Sequence, residues 1–320
     1  MTQGADNKRH SAGTTMWSSE DDRMPAVFRL GKKEVTLTHL DRVYYPGPGY
    51  TKADVLDYYL SVAPYLLPHV RGRPLTLERW PEGVDDDSFF QKDASSYFPK
   101  WLKTFPVRRK DGLKTVHYPL VEDEADLLYL VNLGTLTFHS QMSRVDDPEH
   151  PDLMVIDIDP PESAAVDGSP DPNQTPFARA ATVAFLLRDY LLGAGYDPVV
   201  KTSGKRGVHL AFRLDRHLTY KEARAHLRRL FAELARRHPH LLTTEIRKNK
   251  REGRVYLDAL RMSFGATIVP PYVARATPEA TVSMPVTWQE LNDLPDGRAF
   301  TIRTAIARLK REGDLWKALA

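Results

Sequence analysis

The sequence predicts a mixed α/β (α+β) domain, because strand-like apolar runs alternate with amphipathic helical segments along most of its 320 residues. Residues 154–158 form an apolar, β-branched run that two consecutive prolines terminate, as expected for a buried strand. Apolar and polar residues alternate over 208–214, which is the period of a second strand. Thr219, with Glu222 three residues later, forms a capping box, a typical start of a helix.

The N-terminal half is expected to combine short strands with two helices. Residues 1–24 are polar and predict a disordered arm, so that the folded domain occupies residues 25–320. Thr51 is a good N-cap for a helix from Lys52 to about residue 68. The other elements predicted here are two short strands within 27–37, strands at 75–80 and 115–121, and a mostly buried helix at 126–138.

The C-terminal half is expected to carry a hairpin between helices. A proline-rich loop over 160–176 precedes a helix that starts at Thr175 and ends near Gly193 or Gly195, where glycine can form the left-handed cap. The other predicted elements are a hairpin of 198–202 with 208–214, a helix from 219 to about 238, strands at 254–260 and 266–269, and a last helix at 302–318.

The composition is that of an ordinary soluble globular protein, with 42% hydrophobic and 27% charged residues. No apolar run approaches the ~20 residues of a membrane span, and the N-terminus has no apolar signal segment. The chain has no cysteine, which excludes disulfides and thiolate metal sites and fits a reducing compartment, so the default prediction is a cytoplasmic protein. Basic residues dominate 201–261, a distribution that suits a polyanionic substrate such as nucleic acid, although a solvated basic helix face is the alternative.

Asp157 and Asp159 are the most informative pair in the chain. Residues two apart on a strand point to the same face, so the two carboxylates project together. Neighbouring carboxylates repel unless a cation lies between them, and hard divalent metals take oxygen ligands. The strand therefore predicts a platform for Mg²⁺ or Mn²⁺, with a turn, a cap or a solvated surface pair as the alternative.

The segment from Lys201 to His209 is the second informative element. Its turn has two glycines, which let backbone amides approach a ligand, and Ser203, Arg206 and His209 are donor types that bind triphosphate oxygens. It lacks the order of residues of a Walker loop. The strand alternation places His209 on the face opposite the apolar side chains. The alternative is a polar hairpin turn with an incidental histidine.

Asp258 lies within a predicted apolar strand, where a carboxylate is costly unless it is paired or bound to a metal. It could complete a set of three metal-binding carboxylates with Asp157 and Asp159. Such a set could hold two cations that activate an attacking 3′-hydroxyl and stabilise the leaving pyrophosphate. A salt bridge to a nearby arginine is the alternative.

These three elements occur in an order that resembles the motifs of the archaeo-eukaryotic primase superfamily, and most closely the polymerase domain of the bacterial end-joining ligase D family. The quoted motifs are Asp157-Ile-Asp159, Ser203-x-x-x-Gly207-Val-His209 and Asp258, with supporting stretches at 72–76, 89–92, 143–148, 271–275 and 313–316. The resemblance implies a primase-type fold in which an RRM-like antiparallel sheet carries the three aspartates beside a smaller N-terminal αβ layer. It also implies a DNA-dependent nucleotidyltransferase that adds NTPs or dNTPs to DNA 3′ ends, using two divalent cations, Mn²⁺ or Mg²⁺.

The resemblance also assigns roles to individual residues. The three aspartates match the metal ligands, and the nucleotide-binding positions are Ser203, Arg206, His209, His139, Arg251 and Arg275. Phe89 and Phe90 match an aromatic pair that packs on template bases. Aromatic stacking suits this role because it does not depend on the base sequence. The pocket for a 5′-phosphate corresponds to His39, Arg42 and Lys52. The chain departs from relatives at four positions: Arg206 replaces a frequent lysine, His39 the usual asparagine, Glu78 a basic residue and Arg261 a neutral one.

The implied substrates are gapped, broken or 5′-phosphorylated DNA, and a separate DNA ligase and the Ku end-binding protein are the implied partners. No ligase domain follows Ala320, and the N-terminal Met1 with its polar arm favours a stand-alone protein over an excised domain. Two rival functions are a haloacid-dehalogenase-type phosphatase and a non-catalytic DNA-end binding module. The phosphatase motif requires threonine or valine where this chain has Pro161. A protein that only binds DNA would gain no affinity from three acidic side chains that face the phosphates.

Overall fold

The computed structural model describes residues 26–108, 112–162 and 174–320. The predicted disordered arm, residues 1–24, lies outside the described residues, as does most of the predicted loop over 160–176. The strands are β1 (Ala26–Leu30), β2 (Lys33–Leu37), β3 (Val43–Tyr45), β4 (Tyr50–Thr51), β5 (Leu75–Arg79), β6 (Phe89–Gln91), β7 (Thr104–Arg108), β8 (Thr115–Pro119), β9 (Thr135–Gln141), β10 (Leu153–Asp159), β11 (Val199–Thr202), β12 (Val208–Arg213), β13 (Leu242–Thr243), β14 (Val255–Leu257), β15 (Thr267–Ile268) and β16 (Pro285–Val286).

Six α-helices are present in the described part of the chain: α1 (Lys52–Val70), α2 (Glu124–Asn132), α3 (Pro176–Gly193), α4 (Tyr220–Arg237), α5 (Trp288–Asp293) and α6 (Ile302–Glu312). The predicted capping signals form. Thr51 and Thr219 each accept from the backbone amide three residues on, while Asp54 and Glu222 bond back to the cap backbone. These reciprocal bonds satisfy amides that an uncapped helix leaves unpaired. No described helix is both long and apolar enough to cross a membrane.

A six-stranded sheet forms the centre of the fold, in the order β13-β14-β10-β12-β11-β16. All its neighbours are antiparallel except β13 and β14. Side chains alternate along β10, so Met154, Ile156 and Ile158 share one face, where Met154 and α3 and α4 line a common cavity. The opposite face of β10 carries Asp157 and Asp159. The mixed α/β class with an antiparallel central sheet is therefore confirmed.

A second, smaller layer contains the four-stranded antiparallel sheet β15-β9-β5-β6 together with α1 and α2, which pack on each other. One hydrophobic core joins the two layers; it includes Tyr59 and Phe138 on the N-terminal side and Val155 and Val208 in the central sheet. Most of this layer comes from the N-terminal half of the chain, as predicted.

Three predicted elements differ from the structure. The helix predicted at 126–138 ends at Asn132, because Gly134 turns with φ of 87° and the next residues, β-branched and aromatic, form β9. The strand predicted at 254–260 ends at Leu257, and the last helix ends before Gly313, whose φ is 70°. Consequently His139 lies on a strand, and Asp258 lies just beyond one.

Candidate active site

A row of polar side chains crosses the central sheet. Asp157 on β10 pairs with His209 on β12, and His209 pairs with Lys201 on β11. Residues directly opposite on antiparallel strands place their side chains on the same face. Asp258 follows Leu257, whose partner is Ile158, so the same register brings Asp258 beside Asp157. The row therefore runs across four neighbouring strands.

Asp157 is the centre of this row and is held by cations and a ring nitrogen. Its Oδ1 lies 3.4 Å from Nε2 of His209, and its Oδ2 accepts from Nε of Arg261 at 3.0 Å. Burial alone would raise the pKa of Asp157, but His209, Arg261 and Lys201 together lower it to about 2. Asp157 is therefore a carboxylate across the physiological pH range.

Asp159 lies two residues further along the same face, in a different electrostatic setting. Burial and the charge of Asp157 raise the pKa of Asp159 to about 6, against the opposing effect of Arg251 and Arg261. Its carboxylate takes part in none of the ion pairs that the described residues form. Asp159 is the member of the set whose negative charge is least compensated.

Asp258 caps a short turn that brings Arg261 close to Asp157 and Asp258. Its Oδ1 accepts from the amide of Leu260 at 2.8 Å and from the hydroxyl of Tyr256 at 3.3 Å. The turn brings Nε of Arg261 within 3.5 Å of Oδ2 of Asp258 and 3.0 Å of Asp157. The guanidinium of Arg261 thus bridges two of the three predicted metal ligands.

The donor chemistry of the three aspartates fits a hard divalent cation, because all donors are carboxylate oxygens and two of them already hold a cationic group between them. As the side chains stand, no group of three or more acidic or histidine side chains in the described ranges is gathered closely enough to hold a metal ion. Arg261 would have to move for a metal to bridge Asp157 and Asp258. The metal assignment stays a prediction.

The turn after β11 is built around the hydroxyl of Ser203. Its Oγ accepts from the amides of Lys205 at 3.1 Å and Gly207 at 3.0 Å, which leaves the hydroxyl hydrogen available for a ligand. A Cβ on Gly204 would come 2.7 Å from Cγ of Arg275, and one on Gly207 would come 2.9 Å from a β10 carbonyl. The amides of Lys205 and Gly207 are thus engaged within the turn, and the absence of a Cβ at Gly204 and Gly207 lets the turn pack closely.

Two of the predicted nucleotide-binding residues, Arg206 and Arg251, lie beside Asp159. Arg206, Arg251 and Asp159 line one cleft of about 310 Å³. Arg251 stacks 3.8 Å from the ring centre of Tyr256 and donates to two carbonyl groups. Arg275 is buried and donates to the carbonyl of Ser203 at 2.9 Å. The structure therefore places Arg206 and Arg251 beside the acid with the least compensated charge, in a cleft that is also lined by Glu162, Lys248 and Glu252.

His139 belongs to the second sheet and is held there by Glu78. Its Nε2 lies 3.0 Å from Oε2 of Glu78, and its ring meets the edge of Phe90 at 5.6 Å between centroids. Burial lowers the pKa of His139 despite the opposing effect of Glu78, so the ring is neutral and donates to the carboxylate. Phe89 and Phe90 are 46% and 62% exposed, as surfaces for stacking require.

Two residues of this region were not predicted from sequence. Arg79 lies 5.1 Å from the ring centre of Phe89 and donates to the hydroxyl of Tyr97, which is 58% exposed. Lys201 is fully buried beside His209. The hairpin provides a signal for Lys201, since counting outward from its turn pairs residue 202 with 208 and 201 with 209.

The three residues predicted to bind a 5′-phosphate also lie together. Lys52 is 3% exposed and its amine donates to the carbonyl of Thr38 at 2.7 Å, next to the exposed His39. Arg42 donates to Glu82 at 2.7 Å and accepts from the Lys52 amide through its own carbonyl. Burial, and then the charge of Arg42, lower the pKa of Lys52 to about 8. The cations are clustered but engaged with protein groups.

Comparison with known proteins matches this geometry to one family. The family model described as the LigD primase-polymerase domain matches residues 51–316. The multifunctional non-homologous end joining DNA repair protein LigD of Mycobacterium tuberculosis (strain H37Rv) is 34% identical over 296 residues, covering 90% of this chain and 37% of that protein. The bifunctional non-homologous end joining protein LigD of Bacillus subtilis is 31% identical, covering 88% and 43%. The chain spans less than half the length of either relative.

A solved structure gives the same result. The polymerase domain from Mycobacterium tuberculosis ligase D in complex with DNA is 32% identical in sequence and matches with a TM-score of 0.79. The match covers 89% of this chain and 97% of that one, so the two domains correspond over nearly their whole length.

Proposed function

Because the chain belongs to the LigD primase-polymerase domain family, we propose that it is a DNA-dependent nucleotidyltransferase that adds NTPs or dNTPs to DNA 3′ ends at short gaps and breaks. One observation supports this most strongly. Asp159 lines a cleft together with Arg206 and Arg251, and Asp157 and Asp258 lie near it, an arrangement that suits a triphosphate next to a metal-dependent centre.

On this proposal the three aspartates hold Mn²⁺ or Mg²⁺, which would polarise the reacting phosphate and the attacking 3′-hydroxyl. Arg206 and Arg251 supply charge-assisted bonds to phosphate oxygens, and the free hydroxyl hydrogen of Ser203 supplies another. The buried Arg275 keeps the turn of Ser203 in place through its carbonyl. His209 presents a ring nitrogen to the same face.

Phe89 and Phe90 would stack on template bases, because exposed aromatic faces bind bases of any sequence. His139 contacts Phe90 and lies near Arg275 and Lys205, so it would meet the nucleotide beside this surface. A filled gap is the substrate of a DNA ligase, so we propose a separate ligase and the end-binding protein Ku as partners of a nucleoid-associated enzyme.

Primer extension on a gapped duplex tests the proposed activity. NTP and dNTP are compared in Mn²⁺, in Mg²⁺ and with a chelator, and addition that requires a divalent cation supports the proposal. Binding of the duplex without addition under any of these conditions would instead favour a non-catalytic DNA-end binding module.

The metal site yields a prediction for Arg261. Replacing Arg261 with Ala removes the cation that bridges Asp157 and Asp258, so we expect Mn²⁺ to bind the nucleotide-free protein more tightly. Arg261 is 45% exposed, so its ion pairs contribute only ~1 kcal/mol, which corresponds to about fivefold in affinity. Titration followed by calorimetry or by Mn²⁺ electron paramagnetic resonance measures the affinity. The matched control is Arg228→Ala, at an exposed position of α4. Unchanged or weaker Mn²⁺ binding by Arg261→Ala would show that Arg261 does not compete with the metal.

The Lys52 cluster yields a prediction for the 5′-phosphate. A gapped duplex carrying that phosphate should bind more tightly than one without it, because Lys52 opens α1, where the helix dipole also favours an anion. Lys52→Ala should reduce the preference, whereas Lys310→Ala at an exposed position of α6 should not. Fluorescence anisotropy at two salt concentrations measures it, since added salt screens partly exposed charges.

The same preference should depend on pH in a defined direction. The pKa of Lys52 in the free protein is about 8, so its amine loses its charge as the pH rises from 7 to 9. A bound phosphate favours the charged form, so binding takes up a proton above pH 8 and the preference for the phosphorylated gap falls. Equal affinity for the phosphorylated and unphosphorylated gaps at pH 7 and low salt would show that the Lys52 cluster does not bind the 5′-phosphate.

A further inference from the structure

Lys201 is a buried lysine beside the candidate active site, and burial lowers the pKa of its amine well below the usual value. Its side chain is fully buried in β11, and it forms no ion pair with a carboxylate among the residues that the structure describes. A buried charge is costly unless it is paired and hydrogen-bonded. A residue that costs stability at a position next to a candidate active site is a candidate for a functional role.

The hydrogen bonds of Lys201 define which atoms donate. Its Nζ lies 2.8 Å from Nδ1 of His209 and also contacts Oγ of Ser283. The hydroxyl of Ser283 donates to the carbonyl of Thr202 at 3.2 Å, so its oxygen accepts from Lys201. The ring of Trp316 lies on another side, with its centre 5.7 Å from Nζ. The amine of Lys201 has enough hydrogens to donate to both of these acceptors, whether it is charged or neutral.

These bonds set the tautomer of His209. The ionised carboxylate of Asp157 can only accept, so the single hydrogen of the neutral ring must be on Nε2, and Nδ1 accepts from the amine of Lys201. Nε2 is the nitrogen that faces Oδ1 of Asp157, at 3.4 Å. The hydrogen therefore points along the polar row toward the acids, where an anionic oxygen of a ligand would accept it.

We propose that Lys201 is a positioning residue that holds His209 in the Nε2–H tautomer and thereby presents a hydrogen-bond donor to the incoming triphosphate. The role of His209 as a triphosphate ligand rests on the proposed function, whereas the tautomer does not. Without Lys201, the ring can turn or move its hydrogen to Nδ1, and a lone pair then faces both the phosphate and Asp157.

Replacing Lys201 with Met tests this, because methionine keeps an unbranched apolar stem but has no donor. We expect the melting temperature to stay the same or rise, since the cost of burying a polar amine is removed. We expect the apparent KM for nucleotide to rise about tenfold, with a smaller change in kcat, as for loss of one charge-assisted bond. Lys310→Met, the same substitution at an exposed position, should change neither quantity. A residue with only a structural role would show the reverse pattern, with a lower melting temperature and an unchanged KM.

Two-bond ¹H–¹⁵N spectra of histidine-labelled, nucleotide-free protein read the tautomer directly, with His209→Gln for assignment. The wild type should show hydrogen on Nε2 of His209, and Lys201→Met should show a mixture or the Nδ1–H form. Hydrogen on Nδ1 in the wild type would overturn the proposal, even if the variant failed to fold. An unchanged tautomer together with an unchanged KM in Lys201→Met would also overturn it. The expected tautomer in a protein that adds no nucleotide would contradict the proposed function alone.

Discussion

Replacing Asp157 with Asn is expected to reduce nucleotide addition by at least about a thousandfold while leaving affinity for gapped DNA unchanged or slightly higher. Asp157 is the centre of the polar row and is ionised throughout the physiological pH range, since its pKa is about 2. Asparagine keeps the shape but removes the charge that would hold a cation, and loss of a central group typically costs ~10³-fold or more in rate. Removing the charge also reduces the repulsion of phosphates. Single-turnover primer extension measures the rate, and anisotropy measures the binding.

Asp189→Asn provides the matched control for this experiment. Asp189 is an exposed residue of α3 that pairs with its neighbour Arg188, so the same chemical change there should alter neither rate nor affinity. The equivalent change at Asp159 should give a loss similar to that at Asp157. Addition by Asp157→Asn within tenfold of the wild type would contradict the assignment of the metal-binding acids.

The second large effect is expected at the turn that faces the triphosphate. His209→Ala and Arg206→Ala should each raise the apparent KM for nucleotide, with a smaller effect on DNA affinity. Charge-assisted hydrogen bonds to phosphate contribute ~1.5–3 kcal/mol, so each variant should lose roughly tenfold to a hundredfold. Steady-state extension at a range of nucleotide concentrations measures the KM. Arg229→Ala, at an exposed position of α4, is the control. An unchanged KM in both variants would indicate that the segment from Lys201 to His209 is a polar hairpin turn with an incidental histidine.

The parts of this site that follow from local periodicity were predictable from sequence. The two-residue period of a strand places Asp157 and Asp159 on one face, and the alternation over 208–213 places His209 on the face opposite the apolar residues. Both hairpin and capping signals also correspond to observed elements. The register of the hairpin could in addition have paired Lys201 with His209, because the turn between their strands is short.

The parts that depend on contacts between distant segments were not predictable. Nothing local indicates that β14 lies beside β10, which is what brings Asp258 to Asp157. Nothing local indicates either that Arg261 forms an ion pair with Asp157, or that Arg42 pairs with Glu82, 40 residues away. The sequence alone predicts a helix over 135–138, because a short apolar run fits the period of a helix as well as that of a strand. The glycine before this run and the pairing of β9 with β5 favour the strand.

Nucleotide addition at a one-nucleotide gap tests directly whether the protein is a template-directed nucleotidyltransferase. The protein is mixed with four duplexes that differ only in the unpaired template base, each with a 5′-phosphate at the gap, and with each nucleotide in turn. We expect that the complementary nucleotide is added in each case, that addition requires Mn²⁺ or Mg²⁺, and that it is lost in Asp157→Asn. Tight binding of these duplexes with no addition by the wild type, or addition that ignores the template base, would contradict this expectation.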